Sequence, residues 1–349
     1  MTRSAPGNLA PLLAGVYGTL PTTAPAPTKK TVWVVSCGQA SIGCALETGG
    51  AMSAGRAIGW KMKMCDGKFD TNDAWGTCYR QAVAAHANGI IGIGIGCAAV
   101  KQPLQEAKTA GVKTISSHDF DCNDPYYGGG APLFSTHIVY APKLASAAAY
   151  WTALGRAEAD YFIAKTNGHA KIIELTFPEV IYTRYLDKGL RQELAKCSGC
   201  SVADQLNLSV QDQATNQVPP KFSAVLLKHP EANAVAVPFD SLFAFGLKQA
   251  IVSSGRASKL AVLGGFGEPE VMPFIRANSG VNAVIGTPIV WFGWASVDEL
   301  NRAFAGQKPV SEGLGYQLVD SGHNLPPKGQ GYVPPIKFQA AYKAAWVHH

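Results

Sequence analysis

The chain has 349 residues, enough for one large domain or two ordinary ones. With 47% hydrophobic and 15% charged residues it can bury a sizeable core, which excludes wholesale disorder. The net charge of +6 comes from Lys and Arg scattered singly, with no basic run interleaved with aromatics, which argues against a nucleic-acid partner.

No segment reaches the roughly 18–20 uninterrupted apolar residues that span a bilayer. Asn8–Leu20 is apolar like a signal h-region, but Pro11, Gly15 and Gly18 break it and only Arg3 precedes it, so it reads as a leader remnant or a packed segment. Residues 1–30 form the N-terminal stretch, in which Pro21–Lys30 (PTTAPAPTKK) is expected to be an extended tether suited to an exported protein. The closing His348–His349 reads as part of a tag.

Thr31–Ala51 (TVWVVSCGQASIGCALETGGA) opens the structured chain with a buried strand, a polar loop and a helix of small residues extending to Gly59. Alternation then predicts a strand over Trp60–Cys65, a helix over Asp73–Asn88 and a strand over Gly89–Gly96. A helix over Lys101–Ala110 and a strand over Val112–Ser117 complete the first set. The order β-α-β-α-β-α-β with short connections is the signature of a doubly wound parallel sheet. After the loop His118–Pro132 and a helix over Ala141–Thr166, a second set follows. Its strands are Lys171–Thr176, Val202–Leu208, Ala234–Val237, Ala261–Phe266 and Asn282–Thr287. Its helices are Tyr182–Lys196, Ala214–His229, Ser241–Ser253 and Glu270–Ala277. Helices over Ser296–Ala305 and Phe338–Trp346 close the chain.

The expectation is an α/β protein of two doubly wound parallel-sheet lobes with a ligand cleft between them. One lobe takes 31–136 and 288–318, the other 137–287 and 319–349. Crossings are expected near Ser135–Ile138, Thr287–Pro288 and Val319–Ser321.

Eight cysteines allow 105 pairings, and an even number suits an oxidising compartment. Local spacing suggests Cys197–Cys200 and Cys65–Cys78; Cys97 and Cys122 follow neighbouring strands, and Cys37 and Cys44 share a loop. The single CxxC lacks a His at ligand spacing, and it follows a helical stretch where a thioredoxin-type motif would follow a strand. Gly94-x-Gly96-x-x-Ala99, with Asp119 roughly 20 residues on, keeps an NAD(P)-dependent oxidoreductase as an alternative. His118, Asp119 and Asp121 could hold a metal, but polar residues at a strand's carboxyl end more often bind ligand or cap a loop. No nucleophile–base pair stands out, so neither a catalytic residue, a metal nor a cofactor is expected.

The binding reading rests on Gln39 and Ser41 after the first strand, His118 and Asp119 after the fourth, and Arg184 and Asp240 at helix starts in the second set. Short polar side chains and one Arg suit the fixing of hydroxyls or a carboxylate. Asp240 can equally cap its helix, and Arg184 can be a surface residue.

With these segments in view, the chain resembles the type I periplasmic sugar-binding proteins of ABC importers, the ribose- and galactose-binding relatives. The resemblance rests on TVWVVSCGQASIGCALETGGA, VKTISSHD, TRYLDKGL, VAVPFDSLFAFGL and VLGGFGEPE in the right order, with FQAAYKAAW like a terminal helix of longer members. It implies a ligand set of Cys37, Gln39, Ser41, Cys44, His118 or Asp119, Arg184 and Asp240. Where the family carries polar groups, this chain has Phe239, Phe266 and Thr287, and Gly43 and Cys44 replace the family's paired aromatics; Trp291 lies just past a crossing. A missing partner for a buried hydroxyl costs about 1–3 kcal/mol. The ligand is therefore a sugar or polyol, or else a less hydroxylated or aromatic molecule on the same fold. The resemblance further implies an exported monomer, periplasmic or lipoprotein-anchored at the cell surface, that closes on its ligand by a hinge and hands it to a membrane permease. No helix-turn-helix precedes the first strand, which disfavours a transcriptional regulator with the same core.

Overall fold

The computed structural model describes residues 7–347, so Arg3 and the closing histidines lie outside the described residues. A short helix α1 (Ala10–Ala14) precedes β1 (Thr31–Ser36), α2 (Ile42–Ala57), β2 (Lys61–Asp66), α3 (Ala74–Ala84), β3 (Gly89–Gly92), α4 (Lys101–Thr109) and β4 (Lys113–Ser116). The chain continues through α5 (Ala147–Lys165), β5 (Lys171–Thr176), α6 (Ile181–Leu194), β6 (Ser201–Asn207), α7 (Val210–Ala214), α8 (Val218–Lys228) and β7 (Ala234–Ala236). Then come α9 (Lys248–Ser253), β8 (Ala261–Phe266), α10 (Met272–Arg276), β9 (Ala283–Gly286), α11 (Ile289–Phe304), β10 (Gln317–Asp320) and α12 (Phe338–Val347). Among the described residues no helix is long and apolar enough to cross a membrane.

The chain divides into two compact units. The first comprises residues 17–147, 289–314 and 335–347. Its sheet runs β2-β1-β3-β4, all parallel, with Val34 in register with Met64 on one side and Ile91 on the other. β1 is central, and Val32, Val34 and Val35 are fully buried, as a parallel strand covered on both faces requires. The second unit comprises residues 7–16, 148–288 and 315–334. Its sheet runs β10-β9-β8-β7-β5-β6, parallel except for β10, which pairs antiparallel to β9 (Gln317 opposite Gly286).

Several elements depart from the sequence expectation, each for a local reason. The Thr/Pro/Ala-rich stretch is no free tether: Arg302 Nη2 donates to the Thr23 carbonyl (2.6 Å) and Asn301 Nδ2 to that of Pro25 (2.9 Å). A proline-rich segment joins no ladder easily, so α11 side chains satisfy its carbonyls. α11 begins at Ile289 rather than Ser296. The helix expected over Ser241–Ser253 is interrupted at Phe243–Leu247, where Gly246 adopts φ +99°. The closing segment belongs to the first unit, because α12 stacks on α11. Phe338 lies parallel to Trp291 with centroids 5.3 Å apart, and Trp346 parallel to Trp294 at 5.5 Å. Residues 137–147 also stay in the first unit, where Val139 bridges Ser311. Residues 315–318 enter the second sheet through β10.

All four suggested cysteine pairs are disulfides: Cys37–Cys44, Cys65–Cys78, Cys97–Cys122 and Cys197–Cys200. The last lies between α6 and β6, so the CxxC follows a helix and precedes a strand.

Within each unit two helices approach closely through paired glycines. A Cβ on Gly293 of α11 would lie 2.3 Å from the Ala51 amide nitrogen of α2, and one on Gly50 would lie 2.5 Å from the Val290 carbonyl oxygen. In the second unit, Cβ atoms on Gly155 (α5) and Gly189 (α6) would each fall 2.0 Å from a backbone carbonyl of the other helix. Backbone cannot swing aside as a side chain can, and overpacking of this kind costs about 1–3 kcal/mol or more. Gly293→Ala is therefore expected to lower the denaturant midpoint of the first unit by that amount, as followed by tryptophan fluorescence, with the slope unchanged.

Behind α11, Asp298, Glu299 and Glu312 are all fully buried. Arg302 pairs with Asp298 (Nε to Oδ2, 2.7 Å), Trp346 Nε1 donates to Asp298 (2.7 Å), and the Tyr342 hydroxyl donates to Glu312. Burial pushes Glu299 up to about 7, with the Asp298 charge adding to it against the Val310 amide, Glu312 and Arg302. Burial and the charges of Asp298 and Glu299 push Glu312 well above the carboxylate range. Acids whose folded pKa is raised contribute stability that is complete below the unfolded value near 4.5 and lost as pH rises through the folded one. The melting temperature should thus fall by several degrees between pH 5 and pH 8. In Glu312→Gln that fall should flatten.

Candidate functional site

Parallel strands end with backbone groups that no further ladder pairs, and loops supply side chains there. In the first unit, Gln39 after β1 is half-buried and tied back to its own sheet. Its Nε2 donates to Ser36 Oγ (2.7 Å) and Thr48 Oγ1 (3.3 Å), and its backbone N–H to Asp66 Oδ1 (2.9 Å). Ser41 occupies the N-cap of α2, yet its hydroxyl makes no capping bond. Cys37 and Cys44 brace this loop as a disulfide, so neither offers a thiol to a ligand.

Next to it, Glu47 on α2 is buried and receives two neighbours from the end of β4. His118 Nδ1 lies 2.8 Å from Glu47 Oε2, and the Ser117 hydroxyl donates to Oε1. The imidazole also packs against Phe292 of α11, centroids 5.9 Å apart. Burial pulls the His118 pKa down, but the Glu47 charge and hydrogen bond and the Asp119 charge outweigh it, and the net shift is upward. Asp119 is pushed up to about 6 by burial, with the Asp124 charge adding, against the His118 charge and the Phe120 amide. Sequence reasoning missed Glu47 and Ser117. The available signal was that Glu47 is the one acid in the otherwise small and apolar α2.

The β2–α3 connection is unusual. Lys68, Phe69, Asp70, Asn72 and Asp73 all have φ between +46° and +59°. A left-handed conformation costs about 1–2 kcal/mol for each such residue, so the surroundings must impose it. They do: Phe69 N–H donates to the Cys37 carbonyl (2.8 Å), Trp75 Nε1 to the same carbonyl (3.0 Å), and Trp75 N–H to Asp70 Oδ1 (3.1 Å). The half-buried Phe69 ring lies over Gly38, where a Cβ would come within 2.9 Å of it.

In the second unit the expected residues gather at the carboxyl ends of β5, β7, β8 and β9. Arg184, in the first turn of α6, is half-buried and donates from Nε to the Pro178 carbonyl (2.6 Å). Phe239 packs on Phe177 (4.8 Å). Phe266, at φ +81°, packs edge-on against Trp151 (5.9 Å) and Tyr182 (6.0 Å). Thr287 is 1% exposed, and its Oγ1 finds no hydrogen-bond partner among the described residues.

Two expected ligand contacts are corrected. Asp240 is fully buried, and its Oδ2 accepts from the amides of Gly267 (2.6 Å) and Glu268 (2.9 Å). It clamps the turn after β8, and its carboxyl is held far above the usual range by burial, despite those amides. Trp291 is fully buried, stacked on Phe338, and its indole N–H donates to Tyr342 (2.9 Å). It joins α12 to α11 and presents no face to a ligand.

The dinucleotide alternative fails on local geometry. A Cβ at Gly94 would lie 3.0 Å from His118 Nε2, and one at Gly96 2.0 Å from the Tyr127 hydroxyl, so side chains fill the space a pyrophosphate needs. The segment leads into a 3₁₀ turn (Cys97–Val100) whose first residue is cross-linked to Cys122. Asp121 is spent on the amides of Cys122, Leu133 and Phe134. Cys97, Asp121 and Cys122 form a group of metal-ligand type, but their sulfurs are joined to each other. A surface cavity of about 400 Å³ lies at the opposite, amino end of the second sheet, among Lys165, Asn233, Lys259 and Asn282. Both asparagines there are occupied in holding strand starts.

The family described as periplasmic binding protein domain matches residues 47–308. None of the curated proteins compared with the chain matches it. Among solved structures, a glucose-galactose binding protein from Geobacillus stearothermophilus aligns with a TM-score of 0.70 at 16% identity, covering 84% of this chain and 98% of its own. The binding protein of an arabinose ABC transporter from Shewanella sp. ANA-3, bound to L-arabinofuranose, aligns with a TM-score of 0.67 at 18% identity, covering 91% and 98%. A solute-binding protein from Actinobacillus succinogenes 130z with bound D-allose gives 0.67 at 14% identity, covering 84% and 98%. At these identities the likeness is one of fold: two α/β units built on parallel sheets.

The Glu47 carboxylate should set the His118 titration. In Glu47→Gln the charge is gone while burial remains, so the His118 pKa should drop below about 6.5. Proton NMR of the imidazole Cε1–H measures it.

Proposed function

Because the chain belongs to the periplasmic binding protein domain family, we propose that it is a solute receptor that captures a sugar or polyol and delivers it to the permease of an ABC importer. The observation that carries this reading is where polar and aromatic side chains collect. They stand at the carboxyl ends of the parallel strands in each unit. In the first unit these are Gln39, Ser41, His118 and Asp119; in the second, Arg184, Phe239 and Phe266. Amide, hydroxyl, imidazole and guanidinium groups beside aromatic rings suit hydroxyl-rich ligands.

The protein performs no chemistry. Ser117 gives its proton to Glu47, and its approach to the imidazole (3.5 Å) is at the nitrogen that already engages Glu47. That arrangement orients a histidine and activates no nucleophile. The receptor works as a monomer outside the cytoplasm, in the periplasm or anchored at the cell surface. Four disulfides and no free cysteine among the described residues support an oxidising compartment.

A thermal-shift screen over sugars, polyols and aromatic acids tests the reading. A ligand at 100 times its dissociation constant adds about 2.7 kcal/mol and raises the midpoint by several degrees. Stabilisation by aromatic acids alone would contradict a sugar or polyol receptor. Arg184→Ala should reduce affinity for the stabilising compound at least tenfold by isothermal titration; unchanged affinity removes Arg184 from the site.

A further inference from the structure

The receptor reading leaves the strained β2–α3 connection unexplained. Five left-handed non-glycine residues within Lys68–Asp73 are more than a simple reversal needs, since a turn of glycine and asparagine would make it without strain. The strain is held in place from two sides. The Cys65–Cys78 disulfide brackets the segment, and Cys37–Cys44 braces the loop that accepts its hydrogen bonds. Asp66 Oδ1 ties the two loops together, accepting from the amides of Gln39 (2.9 Å) and Lys68 (3.1 Å). The result of this bracing is the placement of one ring. Phe69 is set over Gly38, one residue from Gln39, at a point where any side chain on residue 38 would collide with it. The β1–α2 loop itself carries no aromatic residue between Ser36 and Gly43.

We infer that Phe69 supplies the aromatic face on which the ligand stacks, from the second strand's loop rather than the first, and that the ligand is accordingly a cyclic sugar with an exposed C–H face. This inference rests on the receptor reading. A flat ring beside a fixed amide matches a pyranose, whose C–H face meets the ring while its rim hydroxyls meet Gln39. An acyclic polyol has no such face.

The test uses the full chain, with D-galactose and L-arabinose as cyclic probes and allitol as the acyclic one, by isothermal titration. The wild type is expected to bind at least one cyclic probe. Phe69→Leu, which keeps apolar volume without a π face, should weaken that binding tenfold or more, and Phe69→Trp should hold it within about threefold. Binding of allitol but neither cyclic sugar, or equal cyclic affinity in Phe69→Leu, overturns the inference and leaves the receptor reading standing. Binding of none of the three overturns both. If Phe69→Leu does not fold, 4-fluorophenylalanine placed at position 69 serves instead. A ¹⁹F shift on saturation with the bound cyclic sugar supports the inference, and an unmoved resonance overturns it.

Discussion

The first unit depends on one close contact between helix backbones. Gly50 on α2 and Gly293 on α11 allow these helices to approach until no Cβ would fit between them. That approach has consequences one turn away on each helix. On α2 it encloses Glu47, which would otherwise be a solvated surface acid; on α11 it brings Phe292 against His118. A buried carboxylate without partners is costly, so the Ser117 hydroxyl and the His118 imidazole are drawn onto it at the end of β4. The polar group at the carboxyl edge of this sheet thus follows from a packing decision made by two glycines.

The second unit repeats the device with other residues. Gly155 and Gly189 bring α5 and α6 together, and the aromatic group Trp151, Tyr182 and Phe266 collects next to that contact. Here the carboxyl edge is mostly rings, and the buried acid, Asp240, is turned to the amides of Gly267 and Glu268. The two edges therefore offer different chemistry, hydrogen-bonding groups with one ring in the first unit and apolar faces with one arginine in the second.

The strand order was legible in the sequence because parallel strands buried on both faces read as short apolar runs, and TVWVV, GIIG and AVLGG are of that kind. The disulfide partners were legible because each pair lies close in sequence or after neighbouring strands. The helix contacts were not, since Gly50, Gly293, Gly155 and Gly189 look like ordinary helix-weakening glycines until their opposite partners are known. Glu47 was missed for the same reason: its role exists only once β4 lies beside α2. Asp240 and Trp291 were misassigned because an acid after a strand and an aromatic near a crossing look alike whether they face a ligand or hold the fold. The left-handed run at Lys68–Asp73 gave no sign either, as it contains no glycine.

The central claim is that ligand is held by the carboxyl-edge loops of these sheets. Hydrogen–deuterium exchange of the full chain, with and without saturating D-galactose, tests it most directly. The account predicts slowed exchange in residues 36–43, 67–73 and 117–120 of the first unit and in 177–184 and 237–241 of the second. Protection confined to the amino-end cavity around Lys165 and Lys259, or no change at all, would contradict it.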